Sequence, residues 1–350
     1  MQFCNAGLQR DRPVQRCKAG AGSAIPFVEI LIMNPNRILA RFLFLLILLS
    51  LALPACAPAA KPTTLKIAVL PVIDALPMYV AQQEGLFEKH KVSVTFVPVA
   101  SAPERDQLIA AGQADGMINE ALSTAFYNKD EVRVQIVRYA RAATNETALF
   151  SILASGKSEI DSPEKLKGVE IGISDGTVID YLTDRLLQAE GFSQGEIRTI
   201  AVPKIPDRLN LLGTGELQAA TLPEPAVSLA LQQGARSILD DTRHPEYSFS
   251  TIAFRKAIID QSPETVRGFL AAIEEATAMI NADPSKYSQV LVEQKVVPAP
   301  LAGSFKVPTF VTASVPTQAQ WDDMLAWAKE NGLLSQDVAY TGSVNASFLP

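Results

Sequence analysis

From Leu65 onward, short apolar runs alternate with stretches of helical period. Leu65-Lys-Ile-Ala-Val-Leu70 is rich in branched residues and reads as a buried strand. A turn-like loop, Pro71 to Pro77, leads into a helix over Met78 to Phe87 that is broken at Gly85. Val92 to Val99 reads as a second strand. Pro103 to Ala111 is helical and ends at Gly112, a C-cap position. Asp115 to Asn119 is strand-like, Ala121 to Lys129 helical, and Val132 to Tyr139 another strand. Alternation of this kind predicts an α/β fold whose sheet is largely parallel and covered by helices on both faces.

The same order then starts again. Val169 to Ile173 reads as a strand, and Ser174-Asp-Gly-Thr177 as a loop and helix cap. Val178 to Glu190 reads as a helix with Val178, Leu182, Leu186 and Ala189 on one face. Glu196 to Val202 is the next strand, followed by a helix over Pro206 to Leu212, a strand over Leu217 to Leu222 and a helix over Pro225 to Gln233. Gln83-Glu84-Gly85-Leu86 parallels Ala189-Glu190-Gly191-Phe192, and the Leu108 to Asp115 segment parallels Leu211 to Gln218. The two offsets, 106 and 103 residues, nearly agree, which points to two lobes of similar build. After Ser250 the pattern becomes helical. Ser262 reads as an N-cap with Pro263 in the first turn of a helix over Glu264 to Asn281. Further helices follow over Pro284 to Glu293 and Thr317 to Asn331. In the last, Trp321, Met324, Leu325 and Ala328 form the packing face, and Trp327 falls off it.

Upstream, Arg37 and Arg41 precede an apolar run, Phe42 to Leu53, of the length of a signal-peptide core and short for a membrane span. Leu53-Pro54-Ala55-Cys56 resembles a bacterial lipobox. That resemblance implies cleavage before Cys56 and acylation of its thiol; an uncut membrane anchor is the alternative. Met33 reads as the true start, so residues 1–32 are a leader outside the fold, 33–55 a signal peptide and 56–64 a tether. Cys4 and Cys17 lie in that leader, which leaves Cys56 without a disulfide partner.

Charge narrows the function. Of 31 Lys and Arg and 37 Asp and Glu, six and two precede Cys56, leaving 25 and 35 and a net charge of −10. Nucleic-acid binding is driven by basic patches, so it is not expected. The only histidines are His90 and His244, and with no cysteine after Cys56 a zinc site is not expected either.

These features together resemble the type II solute-binding proteins of bacterial ABC importers, in the group with sulfonate, nitrate, taurine and thiamine-pyrimidine binders. The residues that carry the resemblance are the lipobox, Leu65 to Phe87, Leu108-x3-Gly112-x2-Asp115, Gly168 to Ser174 with Gly176-Thr177, and Leu222-Pro-Glu-Pro225. Gln218 departs from it, standing where the family often has an aspartate. The resemblance implies two α/β lobes, each a mixed sheet flanked by helices, joined by two crossovers near 143–154 and 249–254. Lobe one is then 65–154 with a return over 248–350, and lobe two is 155–247. It further implies an exported, lipid-anchored monomer without cofactor or metal, periplasmic or on the cell surface. Such a protein closes on a small molecule and delivers it to a membrane permease.

In open parallel sheets the ligand lies outside the carboxyl ends of strands. That rule selects Asp74 after the first strand, Asn119, Glu120 and Ser123 after the third, and Asn145 and Glu146 at the first crossover. In lobe two it selects Ser174, Gly176, Thr177 and Glu224. Free N–H groups at the helix start after Ser174 suit a carboxylate, phosphate or ring acceptor. Asp74, Glu120, Glu146 and Glu224 are acidic, while Arg141 and Lys204 fall outside strand-end positions. A cationic or neutral nitrogen-containing ligand is therefore expected, with Tyr79 or Tyr181 stacking on it.

Three other readings stand beside this one. Gly172-Ile-Ser174-Asp-Gly176 matches the G-x-S-x-G of a serine hydrolase, with Asp240 and His244 downstream. The chain lacks the His-Gly-Gly oxyanion loop of that class. A thiamine-pyrimidine synthase of the same fold uses a histidine and a cysteine-rich iron motif, and no cysteine follows Cys56 to supply one. An exported sensor or accessory lipoprotein with this fold is the third.

Overall fold

The computed structural model describes residues 64–350; the signal-peptide and Cys56 readings lie outside the described residues. Ten strands form two five-stranded sheets. The first sheet contains β1 (Thr64–Val69), β2 (Ser93–Pro98), β3 (Gly116–Asn119) and β4 (Val134–Ala142). The second contains β5 (Phe150–Ala154), β6 (Glu170–Ile173), β7 (Arg198–Ala201), β8 (Ala219–Pro223) and β9 (Arg236–Asp240). The chain then returns to the first sheet as β10 (Phe249–Arg255). The strand orders are β2-β1-β3-β10-β4 and β7-β6-β8-β5-β9, the same topology twice. In each sheet the fourth strand alone runs antiparallel to its neighbours: β10 against β3 and β4, and β5 against β8 and β9.

The longer helices are α1 (Leu76–Gln83), α2 (Ala102–Ala110), α3 (Ala121–Asn128), α4 (Val178–Ala189), α5 (Ile205–Thr214), α6 (Ala226–Gln232), α7 (Pro263–Ala282) and α8 (Gln318–Glu330). They cover both faces of each sheet away from the outer strands β2, β7 and β9, which is why β3, β4, β5, β8 and β10 are buried along nearly their whole length. Along β1, Leu65, Ile67 and Val69 join the core under α1 and α7, while Ala68 joins the opposite core with α3 and α8. In β5, Ile152 and Ala154 face one core and Leu153 the other. This is the period-two alternation of a strand.

The internal repeat has a local cause. Gly85 and Gly191 end corresponding helical segments with φ of 69° and 87°, and Gly112 and Gly215 do the same with 67° and 81°. A left-handed residue after a helix favours glycine, so both lobes carry glycine at matching points.

Several expectations are corrected. The two segments read as crossovers contain strands: Phe150–Ala154 pairs into the second sheet and Phe249–Arg255 into the first. The chain passes between sheets at 143–149 and 241–248. An antiparallel strand after a crossover interrupts the strand-helix rhythm, so periodicity did not separate it from the link. Ser262 precedes α7 but makes no side-chain capping bond. Trp327 is buried at 1% exposure, and its Nε1 donates to Asp184 Oδ2 of α4 at 2.9 Å. The face of α8 is wider than expected because α8 packs on lobe two as well as on α3. Tyr181 of α4 accordingly sits in the same apolar cluster as Trp321 and Trp327. No helix among the described residues is long and apolar enough to cross a membrane.

Candidate functional site

A narrow cavity of about 70 Å³ lies where the two sheets' strand ends meet. One water needs roughly 10–15 Å³ by this measure, so the space suits a compact solute. Lobe one contributes Leu70, Val72 and Asp74 after β1, Ser101 and Arg105 after β2, and Asn119 and Glu120 after β3. Lobe two contributes Ser174, Thr177 and Val178 after β6, Pro203 and Ile205 after β7, and Pro223 and Glu224 after β8. The antiparallel strands present their opposite ends: Leu149 and Phe150 at the start of β5 and Ser250 near the start of β10. The site therefore follows the strand-end rule for open α/β sheets.

Its polar groups are mostly held by the protein. Ser250 Oγ donates to Asp74 Oδ2 at 2.5 Å, and Arg141 Nη1 lies 3.8 Å from Asp74 Oδ1. Glu224 Oε2 accepts the Ser228 N–H at 3.2 Å, and Oε1 the Ser228 hydroxyl at 3.0 Å. Burial raises the Glu224 carboxyl above its ordinary value, against the pull of Ser228 and the Arg141 charge. Glu120 Oε1 accepts from Arg105 Nη2 at 3.1 Å, and Oε2 accepts the Val178 N–H across the cleft at 2.5 Å. Burial raises Glu120 too and the nearby Asp106 charge adds to it, while Arg105 and the Val178 N–H oppose both.

Two polar atoms on the cavity walls are left over. Asn119 donates through Nδ2 to Thr124 Oγ1 at 2.8 Å, but its Oδ1 is buried without a partner. Ser174 Oγ, across the cleft in lobe two, is likewise buried and unpartnered. A buried polar atom without a partner is costly, so a pair of them on residues that line one cavity points to where a ligand's polar groups fit.

Of the residues expected here, Asp74, Asn119, Glu120, Ser174, Thr177 and Glu224 line the cavity. Four do not. Ser123 turns away, and its hydroxyl donates to Asp106 Oδ1 at 3.1 Å. Asn145 is an exposed turn residue that reaches the Thr242 carbonyl at 3.4 Å. Glu146 lines an outer groove with Arg141 and Lys306. Gly176 shapes the loop, and its N–H donates to Asp180 Oδ2 at 2.9 Å. The expected open anion cradle at the start of α4 is corrected on the same ground: Thr177 Oγ1 takes the Ile179 N–H and Glu120 the Val178 N–H. Tyr79 and Tyr181, expected to stack on the ligand, do not line the cavity. Tyr79 packs edge-on against Phe96 in the core, and Tyr181 donates to Asp323 Oδ2 at 2.6 Å.

Arg105 and Ser250 line the cavity and Arg141 backs Asp74, and strand-end reasoning selected none of the three. Arg105 sits within α2, buried on one face with Ile109 at helical spacing. That i, i+4 pairing of an arginine with an isoleucine was the available signal. Arg141 is buried beside Asp74, so the acidic residues of the cleft are offset by basic ones.

The hydrolase geometry is not assembled. A nucleophilic serine needs a base within hydrogen-bond reach. Ser174 Oγ has no partner, while His244 lies 3.5 Å from Glu246 and stacks on Tyr247. Among the described residues no group of His, Cys, Asp and Glu is arranged to hold a metal ion.

Residues 73–287 match the NMT1/THI5-like family. A Haemophilus influenzae protein named for thiamine biosynthesis is 26% identical over 230 residues, covering 63% of this chain and 70% of that protein. Among solved structures, the alkanesulfonate-binding protein SsuA of Xanthomonas axonopodis pv. citri, bound to MOPS, aligns with a TM-score of 0.68 at 18% identity. The alignment covers 82% of this chain and 99% of that one. The desulfurization enzyme DszB aligns with a TM-score of 0.63 at 14% identity, over 81% of this chain and 97% of that one. These likenesses establish the two-lobe periplasmic-binding-protein fold. Since they include both a binding protein and an enzyme, function rests on the residues of the cleft.

Proposed function

The chain belongs to the NMT1/THI5-like family, and we propose that it is the extracytoplasmic solute-binding component of an ABC importer, anchored by a lipid on Cys56. It captures a small nitrogen-containing solute, cationic or neutral, between its lobes and presents the closed form to a membrane permease. The observation that carries this reading is the pair of orphaned atoms, Asn119 Oδ1 and Ser174 Oγ, buried on opposite walls of one cavity. Each lobe holds one end of an incomplete hydrogen-bond set, as a clamp requires. Asn119 Oδ1 is an acceptor and calls for a donor on the solute.

The acidic bias supports a donor-rich solute. Asp74, Glu120 and Glu224 reach the cavity, against Arg105 lining it and Arg141 behind Asp74. The apolar walls, Leu70, Val72, Leu149, Phe150 and Ile205, suit the body of a compact organic molecule.

A thermal-shift screen of the exported chain over amines, pyrimidines, amino acids, nitrate and sulfonates tests the proposal. Ligand at a hundredfold excess over its Kd stabilises the native state by about 2.7 kcal/mol. The expected result is a saturable shift with at least one nitrogen-containing solute. A membrane-free form that shifts with none of them, while taking up a macromolecular partner, contradicts it.

A further inference from the structure

Helix α4 begins in the cavity wall, and its first free N–H groups are taken by the protein's own oxygens. Asp180 and Thr177 account for Gly176 and Ile179 from within lobe two. The Val178 N–H is different: its acceptor, Glu120 Oε2 at 2.5 Å, comes from lobe one. The second oxygen of that carboxylate accepts from Arg105 Nη2 at 3.1 Å. Glu120 and Arg105 are 3% and 2% exposed, and both line the cavity. A carboxylate set between a buried guanidinium and a helix N-terminus has the partners that a free carboxylate or sulfonate seeks.

We propose that Glu120 determines the specificity of the cleft: it is a tethered carboxylate that fills the position an anionic solute would take, excluding sulfonates and carboxylates while bracing the lobes together. Covalent attachment gives Glu120 a high effective concentration at Val178 and Arg105, so a dissolved anion competes poorly for them. A second anion beside Glu120 also meets a buried like charge. The ligand is left with Asn119 Oδ1 and Ser174 Oγ, which lie in the same cavity and remain unpartnered. This inference rests on the cleft being the solute site, and it adds which solutes that site refuses.

Glu120→Ala removes two carbons and two oxygens, the heavy atoms of acetate, and leaves the Val178 N–H and the Glu120 contact at Arg105 Nη2 unmet, while Arg105 stays paired with Asp106 through Nε and Nη2. Thermal-shift titration with sodium acetate, against sodium chloride at equal ionic strength, reads the result. The variant should show a saturable acetate-specific rise in Tm, with a midpoint concentration at least about tenfold below any seen for the wild type. Identical acetate responses in the two proteins overturn the proposal. A wild-type titration with methanesulfonate by calorimetry stands independently, so the test survives a variant that fails to fold. No binding is expected, and one-to-one binding lost on Ser174→Ala overturns the proposal. That outcome would leave the solute-binding reading intact. Acetate uptake by the variant, conversely, does not depend on any nutrient being found.

Discussion

The Asp241 carboxylate accepts the Leu149 N–H through both oxygens, at 3.0 and 3.2 Å. It also takes the Phe150 N–H at 3.0 Å. Asp241 starts the second link between the sheets, and Leu149 ends the first. The two links are further joined by the Ala143 N–H donating to the Ser248 carbonyl at 2.9 Å. The two links are therefore tied to each other at both ends, at the lobe-two end by a fully buried acid that accepts from backbone N–H groups.

Asp241→Ala strands two buried N–H donors. It should cost at least about 3 kcal/mol of unfolding free energy, since bonds to a charged acceptor are worth roughly 1.5–3 kcal/mol each. Urea denaturation of variant and wild type measures this. A loss within the usual error of a surface substitution would contradict the role.

Lobe two is also braced through α4. Tyr181 donates to Asp323 of α8 at 2.6 Å, and Arg185 reaches the same carboxylate at 3.0 Å with both Nε and Nη2. Tyr181→Phe should cost about 1–2 kcal/mol. A double-mutant cycle with Asp323→Ala should give a coupling of at least about 0.5 kcal/mol, and additivity would refute the contact.

Asp180 supplies a pH dependence. Burial, with the charges of Asp184 and Asp175 adding to it, pushes its carboxyl from 3.8 up to about 7 against the pull of the Gly176 N–H. Between those values the folded chain holds a proton that the unfolded chain has released. Stability from this group is thus undiminished below the unfolded value and falls as pH rises towards 7. Asp241, raised to about 6, acts in the same direction. Asp180→Asn should lose less stability between about pH 5 and pH 8 than the wild type does. Parallel losses in urea midpoint would show that Asp180 titrates as an ordinary carboxyl.

Glu224 tests the sign of the solute. Its backbone is bounded by Pro223 and Pro225, and Ser228 fixes the carboxylate on the cavity wall. Glu224→Gln should weaken a cationic solute by at least roughly tenfold with little change in stability, since a desolvated charge pair loses about 2–5 kcal/mol when one partner is removed. Equal calorimetric affinities for the two proteins would rule out a charge contact there.

The strand-helix rhythm and the repeated glycines were legible because both are local: apolar period and left-handed helix ends depend on near neighbours. Strands β5 and β10 were not, because an antiparallel insertion is defined by partners in a sheet completed far along the chain. The strand-end rule selected Asp74, Asn119, Glu120, Ser174, Thr177 and Glu224, which line the cavity because their loops emerge directly from parallel strands. Asn145 and Glu146, on the solvent side of a turn, and Ser123, one turn inside α3 and facing α2, lie off the cavity wall. Arg105 was hidden for the complementary reason: a buried arginine on a helix face becomes a site residue only once Glu120 is placed opposite it. Reading the loops alone overstated the acidity of the cleft, because Arg105 stands beside Glu120 and Arg141 beside Asp74, which leaves a smaller acidic excess.

Capture between the lobes is the central claim, and calorimetric titration of Ser174→Ala and Asn119→Ala with the solute giving the largest thermal shift tests it most directly. The two residues come from different lobes and touch each other through no hydrogen bond, so only a solute spanning the cleft depends on both. Asn119→Ala also loses the Thr124 bond, so its unliganded stability is measured alongside. One-to-one binding to the wild type is expected, weakened at least about tenfold by each substitution, as for a buried hydrogen bond worth roughly 1.5 kcal/mol or more. A solute whose affinity is unchanged by both substitutions would contradict capture between the lobes.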